Sequence, residues 1–284
     1  MLNDFEFIDI HYHAAPDLYY RRHNAISAGK LYQDINGAVV LKSHLGSTSV
    51  QATLAQQEGL PVFPSVALNQ FSGGIDYKVV LRALAEYQPQ YVSRLIVDLP
   101  TITCQPHQSK LPRKLAVGNL GKHALVPTAL FDEKQRLKSE VIDLIKFARD
   151  YPVVLSTGHA SKEEVYALID TCHQHNLPRL LLNQPANPLT NLDAQALAEL
   201  AKDDLIWIEQ TALTYLLGYQ QVSDFKEVLA SVPKVIYSSD LGQTSQMDIM
   251  NWKKQTQQWF EEVKLSQDRR KEICLTNPHQ LLSI

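Results

Sequence analysis

Two histidines one residue apart close the run Ile8-Asp9-Ile10-His11-Tyr12-His13. Side chains in a strand alternate faces, so a strand here points His11 and His13 the same way. Two imidazoles on one face at the end of a buried strand are half of a site for a divalent metal. The plain alternative is a pair of core histidines that only make hydrogen bonds. Three other polar clusters follow apolar runs. Lys42 and His44 share a face after Ala38-Val39-Val40-Leu41, and His159 follows Leu155-Ser156-Thr157-Gly158, where glycine allows a tight exit from a strand. Asp240 ends Val235-Ile236-Tyr237-Ser238-Ser239. Ordinary roles exist for each. Lys42 can pair with a carboxylate such as Asp240, His44 can bond a loop carbonyl, His159 can cap a helix, and Asp240 can serve as an N-cap.

These residues need elements to gather them. Short β-rich runs fall at 7–11, 38–44, 62–68, 94–99, 153–156, 180–183, 205–209 and 235–238. They are nearly continuous apolar runs, as in parallel strands covered on both faces. Between them lie helical patterns, such as Leu137, Val141, Leu144, Ile145 and Ala148, and Val165, Leu168, Ile169 and Cys172. Ser161 and Glu164 have the spacing of a capping box. Eight strand–helix repeats predict an α/β fold, a single-domain (β/α)8 barrel over residues 1–284. A doubly wound sheet is the alternative, but no Gly-x-Gly-x-x-Gly follows any strand. The long connection after the fourth strand, 100–131 with Pro106, Pro112 and Pro127, is expected to lie over one end of the barrel. In a barrel, the carboxyl ends of strands carry the site. There, three histidines and an aspartate from strands one, five and eight converge as the ligand set of a divalent ion.

Bulk properties narrow the function classes. The chain has 284 residues, 45% of them hydrophobic, and a formal net charge of −3 without a basic block. That speaks against a nucleic-acid partner and for a small-molecule substrate. Three widely spaced cysteines suggest a reducing compartment. Asp4 and Glu6 precede a first apolar run too short for a signal sequence, and no stretch is long enough to cross a membrane, so the expected location is cytoplasmic. Trp252, Trp259 and Phe260 lie on a helical pattern over 247–263, expected to pack on the barrel, with a homo-oligomer surface as the alternative.

His11-x-His13, His159 and Asp240 on strands one, five and eight resemble the amidohydrolase superfamily of metal-dependent barrel enzymes. The ending Thr276-Asn277-Pro278-His279-Gln280-Leu281-Leu282 is similar to the Asn-Pro-x-x-Leu-Leu helix that often closes such chains. More narrowly, His11-Tyr12-His13-Ala14-Ala15-Pro16-Asp17, Val40-Leu41-Lys42-Ser43-His44, Ser156-Thr157-Gly158-His159 and Ser238-Ser239-Asp240-Leu241-Gly242-Gln243 resemble a small uncharacterised amidohydrolase-like group. Two departures stand out. Asn183 occupies the place of a histidine after strand six. The fourth strand offers Asp98 where a bridging lysine or glutamate is usual, while Lys42 lies on strand two.

The resemblance and the residues together imply one divalent metal on His11, His13 and His159, with Asp240 as ligand and general base. Zinc is the first expectation, with manganese, nickel or iron as alternatives. Lys42 and His44 would stabilise an oxyanion. Asp17, Arg21 and Arg22 would hold an anionic substrate, Asn183 would lie nearby, and Glu209 would position Lys42 or a substrate amine. The expected activity is hydrolysis of an amide, cyclic amide, lactone or ester. Non-oxidative decarboxylation and phosphoester hydrolysis are alternatives, as is a catalytically degenerate small-molecule binder, because these differ in loop contacts.

Overall fold

The computed structural model describes residues 5–104 and 109–284. Asp4 and Pro106 lie outside the described residues. Nine parallel strands form: β1 Phe7–His13, β2 Gly37–Lys42, β3 Val62–Phe63, β4 Ser65–Ala67, β5 Leu95–Asp98, β6 Val153–Ser156, β7 Leu180–Leu182, β8 Ile206–Thr211 and β9 Val235–Ser238. The expected third strand is split at Pro64, which has no N–H for a ladder. Its first piece pairs with β2 and its second with β5. The result is two parallel sheets, β1-β2-β3 and β4-β5-β6-β7-β8-β9, in a mixed α/β fold consistent with a TIM-like barrel.

A continuous ladder closing the cylinder, as the sequence led one to expect, is absent between β9 and β1 among the described residues. Among the described residues, the backbone hydrogen bonds between these two segments lie at their carboxyl ends. There the Asp240 N–H donates to the His11 carbonyl and the His13 N–H to the Leu241 carbonyl, both at 2.8 Å. The buried Asp9 carboxylate reinforces this seam by accepting from the backbone N–H of His11 and of Ser239, each at 3.0 Å.

Helices cover the outer faces. Leu144, Ile145 and Ala148 of helix Ser139–Asp150 and Val165, Leu168 and Cys172 of helix Lys162–Gln174 are buried on the expected spacing. The Ser161–Glu164 capping box is formed. Trp252, Trp259 and Phe260 of helix Ile249–Glu262 are buried against the strands and not displayed at the surface. None of the helices among the described residues is long and apolar enough to cross a membrane.

Inside the sheets, Ile8, Ile10, Val40, Phe63, Ile96, Val154, Leu181, Trp207 and Ile236 form one apolar cluster. Leu275, Leu281 and Leu282 of the closing segment join it. Removing each such side chain from water contributes about 1.5–3 kcal/mol, which makes this floor a rigid platform for what lies above it.

Candidate metal centre

One irregularity in β1 places both imidazoles. The register against β2 shifts between Asp9 and Tyr12. Below the shift Ile8 and Ile10 face the interior, and Tyr12 belongs to the outer core. A bulge re-aims the strand by one residue, so His11 and His13 turn inward directly above Ile10 and line the interior chamber. At the facing end of β9, Asp240 adopts a left-handed backbone conformation, φ +53°, which aspartate tolerates better than most residues. Two residues on, Gly242 has φ +112°, and a Cβ there would lie 1.9 Å from the His13 carbonyl oxygen. Only glycine permits that approach of the two strand ends.

The side chains that meet are His11, His13 and Asp240. Both histidine Nε2 atoms lie 3.3 Å from Asp240 Oδ1. Ligands held at 2.0–2.1 Å around a tetrahedral zinc are roughly 3.3 Å apart, so this spacing fits a cation in their midst. His11 Nδ1 is 3.0 Å from Glu209 Oε1, which also accepts from Ser238 Oγ at 2.8 Å. A carboxylate on Nδ1 fixes the tautomer that leaves Nε2 free to ligate. Glu209 thus orients His11: its hydrogen-bond partners among the described residues are His11 and Ser238, where the sequence reading expected Lys42 or a substrate amine. Burial would lower the His11 pKa, but the Glu209 and Asp240 carboxylates outweigh it and raise it. Burial, then the charge of Arg21, push the His13 pKa well below its usual value, leaving a neutral ring. Burial raises the Asp240 pKa, with Glu209 adding to it against His11. His13 Nδ1, Glu209 Oε2 and Gln243 Oε1 are buried without hydrogen-bond partners among the described residues. His13 and Gln243 line the chamber, and their orphaned atoms suit a group that completes them.

His159 lines the same chamber but stands outside the set of ligand atoms converging within 4.8 Å. Enclosure, then the charges of Arg113, His44 and His11, push its pKa down to about 3. Gly158 before it has φ +56°, and a Cβ would sit 2.1 Å from the Leu99 carbonyl oxygen. Asn183 braces this turn, donating from Nδ2 to the Gly158 carbonyl at 3.0 Å.

Lys42 reaches inward as its parity predicts, and its partner is Asp98, not Asp240. Its Nζ lies 2.8 and 2.6 Å from the two Asp98 oxygens. Asp17 is fully engaged: Oδ1 accepts from the His44 backbone N–H at 2.6 Å and Oδ2 from Arg21 Nε at 2.5 Å. Burial would raise its pKa, but His44 and Arg21 prevail and hold it well below the carboxylate range. Asp17 therefore positions His44 and Arg21 and offers no free oxygen to a substrate. His44 stacks on His13 with ring centroids 4.9 Å apart. Arg22 points away and donates to the carbonyls of Thr244 and Gln246.

The connection 100–131 supplies a residue that the sequence reading passed over. Its strand-like contacts with Leu18, Tyr19 and Tyr20 bring Arg113 over the Tyr19 ring, 5.1 Å from its centroid. Arg113 lines both the inner chamber of about 40 Å³ and an outer vestibule of about 180 Å³. Ile102, Leu111, Leu125, Leu189, Leu213 and Leu217 wall the vestibule. Only the unusual length of this connection hinted at such a role.

No curated protein matches the chain. Among solved structures it is similar to 2,6-dihydroxybenzoate decarboxylase complexed with 2,6-dihydroxybenzoate, at 12% identity over 90% of this chain and 76% of that one. The TM-score is 0.31, a likeness too slight to support an argument. A family model matches most of the chain, from just before β1 into β8, and includes every candidate ligand except Asp240. Its description is "Family of unknown function (DUF6282)", it covers residues 6–209, and the chain belongs to that family.

Proposed function

We propose that this chain is a metal-dependent enzyme of the amidohydrolase type that hydrolyses an amide, cyclic amide, lactone or ester in a small molecule. The observation that carries the reading is the meeting of two Nε2 atoms at 3.3 Å from one carboxylate oxygen, with Glu209 behind His11 to set its tautomer. His11, His13 and Asp240 would hold a divalent ion, zinc first, with His159 at the chamber wall. Such an ion supplies a water of lowered pKa and polarises a carbonyl.

The protein's own groups do the rest. Asp240 holds the proton taken from water and returns it to the leaving group. Lys42, anchored on Asp98, presents a fixed positive charge to the oxyanion that develops. His44, stacked on His13, stands beside it. The vestibule, where leucine side chains alternate with Thr101, Arg113 and Gln184, takes the body of the substrate. A chamber and vestibule of about 40 and 180 Å³ suit a small molecule, since drug-sized ligands occupy roughly 300 Å³ or more.

Arg113 has no carboxylate partner among the described residues, which favours an anionic substrate. A carboxylate at that place keeps non-oxidative decarboxylation as the second reading. Metal analysis of protein purified without added metal tests the centre. About one ion per chain is expected, none in His11→Ala, and a roughly 10–100-fold weaker affinity in Glu209→Gln. Metal-free wild type, or metal retained by His11→Ala, refutes the assignment. A panel of lactones, cyclic amides and carboxylic acids, read for hydrolysis product and for carbon dioxide, separates the two reactions.

A further inference from the structure

We propose that the Arg21 guanidinium is a built-in second cation: it fills the position between Asp17 and His44 that a second divalent ion would otherwise take, and so keeps the centre mononuclear. The inference rests on the reading of His11, His13 and Asp240 as a metal site.

Two groups of buried ligand atoms converge within 4.8 Å, His11–His13–Asp240 and His13–Asp17–His44. They share His13. Its Nε2 faces Asp240 at 3.3 Å, and its Nδ1 lies 3.9 Å from Asp17 Oδ2. That Nδ1 is buried and makes no hydrogen bond among the described residues. His44 Nδ1 lies 3.2 Å from each Asp17 oxygen. In residue type the second group matches the first, and its atoms meet the same 4.8 Å limit.

The difference is the resident charge. Arg21 Nε is 2.5 Å from Asp17 Oδ2 and its Nη2 is 3.3 Å from His44 Nδ1, with the side chain 3% exposed. No lysine or arginine makes an ion pair with Asp240 among the described residues; the groups beside it are the two imidazoles. A guanidinium fits a carboxylate and cannot lose its proton in a protein. It therefore neutralises Asp17 permanently and repels a dication from the same pocket. A vacated pocket would offer the Asp17 carboxylate, the His44 imidazole and the unpartnered His13 Nδ1.

Zinc stoichiometry by elemental analysis after equilibrium dialysis tests this. Wild type should hold one ion per chain, and Arg21→Gln and Arg21→Ala two, the second bound more weakly. Arg21→Lys, which keeps a charge, should hold one, and Arg21→Gln combined with Asp17→Asn should return to one. Should Arg21→Ala fold poorly, Arg21→Gln keeps a hydrogen-bonding group beside Asp17, and zinc should then raise its Tm more than that of wild type. Two ions in wild type, or no more zinc in a folded Arg21→Gln than in wild type, overturns the proposal. Zinc-free wild type with one ion in Arg21→Gln would sink the proposed enzyme centre and leave this inference standing.

Discussion

The floor and the mouth of the interior lie on the same strands, one pleat apart, yet obey different rules. At the floor stand Val40, Ile96, Val154, Leu181, Trp207 and Ile236, all in one apolar cluster. Two residues further along the same strands stand Lys42, Asp98, Ser156, Asn183, Glu209 and Ser238, all buried and polar. A period of two keeps both layers on one face. The floor is held by close packing, which is tolerant of identity and sensitive to volume. The mouth is held by partners. Lys42 has Asp98, Glu209 has His11 and Ser238, and Asn183 has Gly158. The comparison teaches that the charged side chains of this interior are held in sets, so losing one member costs more than its own contact.

That contrast is broken most forcefully at the ion pair. Lys42→Met should destabilise the protein by about 3–5 kcal/mol, because it leaves the Asp98 carboxylate buried and alone. Combining it with Asp98→Leu should recover most of the loss in urea unfolding, since an apolar pair of similar volume removes the stranded charge. If the double substitution is as unstable as the single one, the mouth depends on specific chemistry at this pair and not merely on charge balance.

The floor offers the matching test. Leu181→Ala should cost about 2–5 kcal/mol through lost burial and the cavity left behind. Zinc content should be unchanged in the fraction that remains folded, because Leu181 touches no ligand. A variant that kept its stability but lost its metal would show that the floor tunes the centre directly.

How far the mouth could be foreseen depends on the kind of signal involved. Parity alone placed Lys42 inward, and strand-end position singled out His11, His13, His159 and Asp240, because apolar runs mark strands clearly. The β1 bulge was invisible: unbroken alternation from the inward Ile8 and Ile10 would turn both histidines outward, and the register shift between Asp9 and Tyr12 is what brings them into the chamber. Glu209 lay on the right face, but its partner depends on a contact 198 residues distant along the chain, which no local pattern encodes. The sequence reading offered Asp240 as a partner for Lys42, but the pairing is with Asp98, a contact 56 residues distant along the chain. Arg113 sits in a connection without periodicity. Arg22 followed Arg21 so closely that composition could not separate them, although alternation of the extended backbone turns one into the chamber and the other to solvent.

The mouth should differ from the floor in one further respect, its response to acid. Asp17 titrates well below its ordinary value in the folded protein, since His44 and Arg21 outweigh the cost of its burial. A depressed carboxylate contributes stability that is complete above its unfolded pKa of about 3.9 and is lost as pH falls toward the folded value. The penalty of Asp17→Asn should therefore be constant from neutral pH down to about 4–5. Below that it should shrink by at most about 1.4 kcal/mol per pH unit, the limit for one proton. Leu181→Ala, which removes no titratable group, should carry the same penalty across that range. Urea unfolding of both variants and wild type between pH 7 and pH 3 measures the two slopes. Parallel lines would mean that Asp17 is held by packing in the manner of the floor, and that its ion pair with Arg21 adds nothing to the fold.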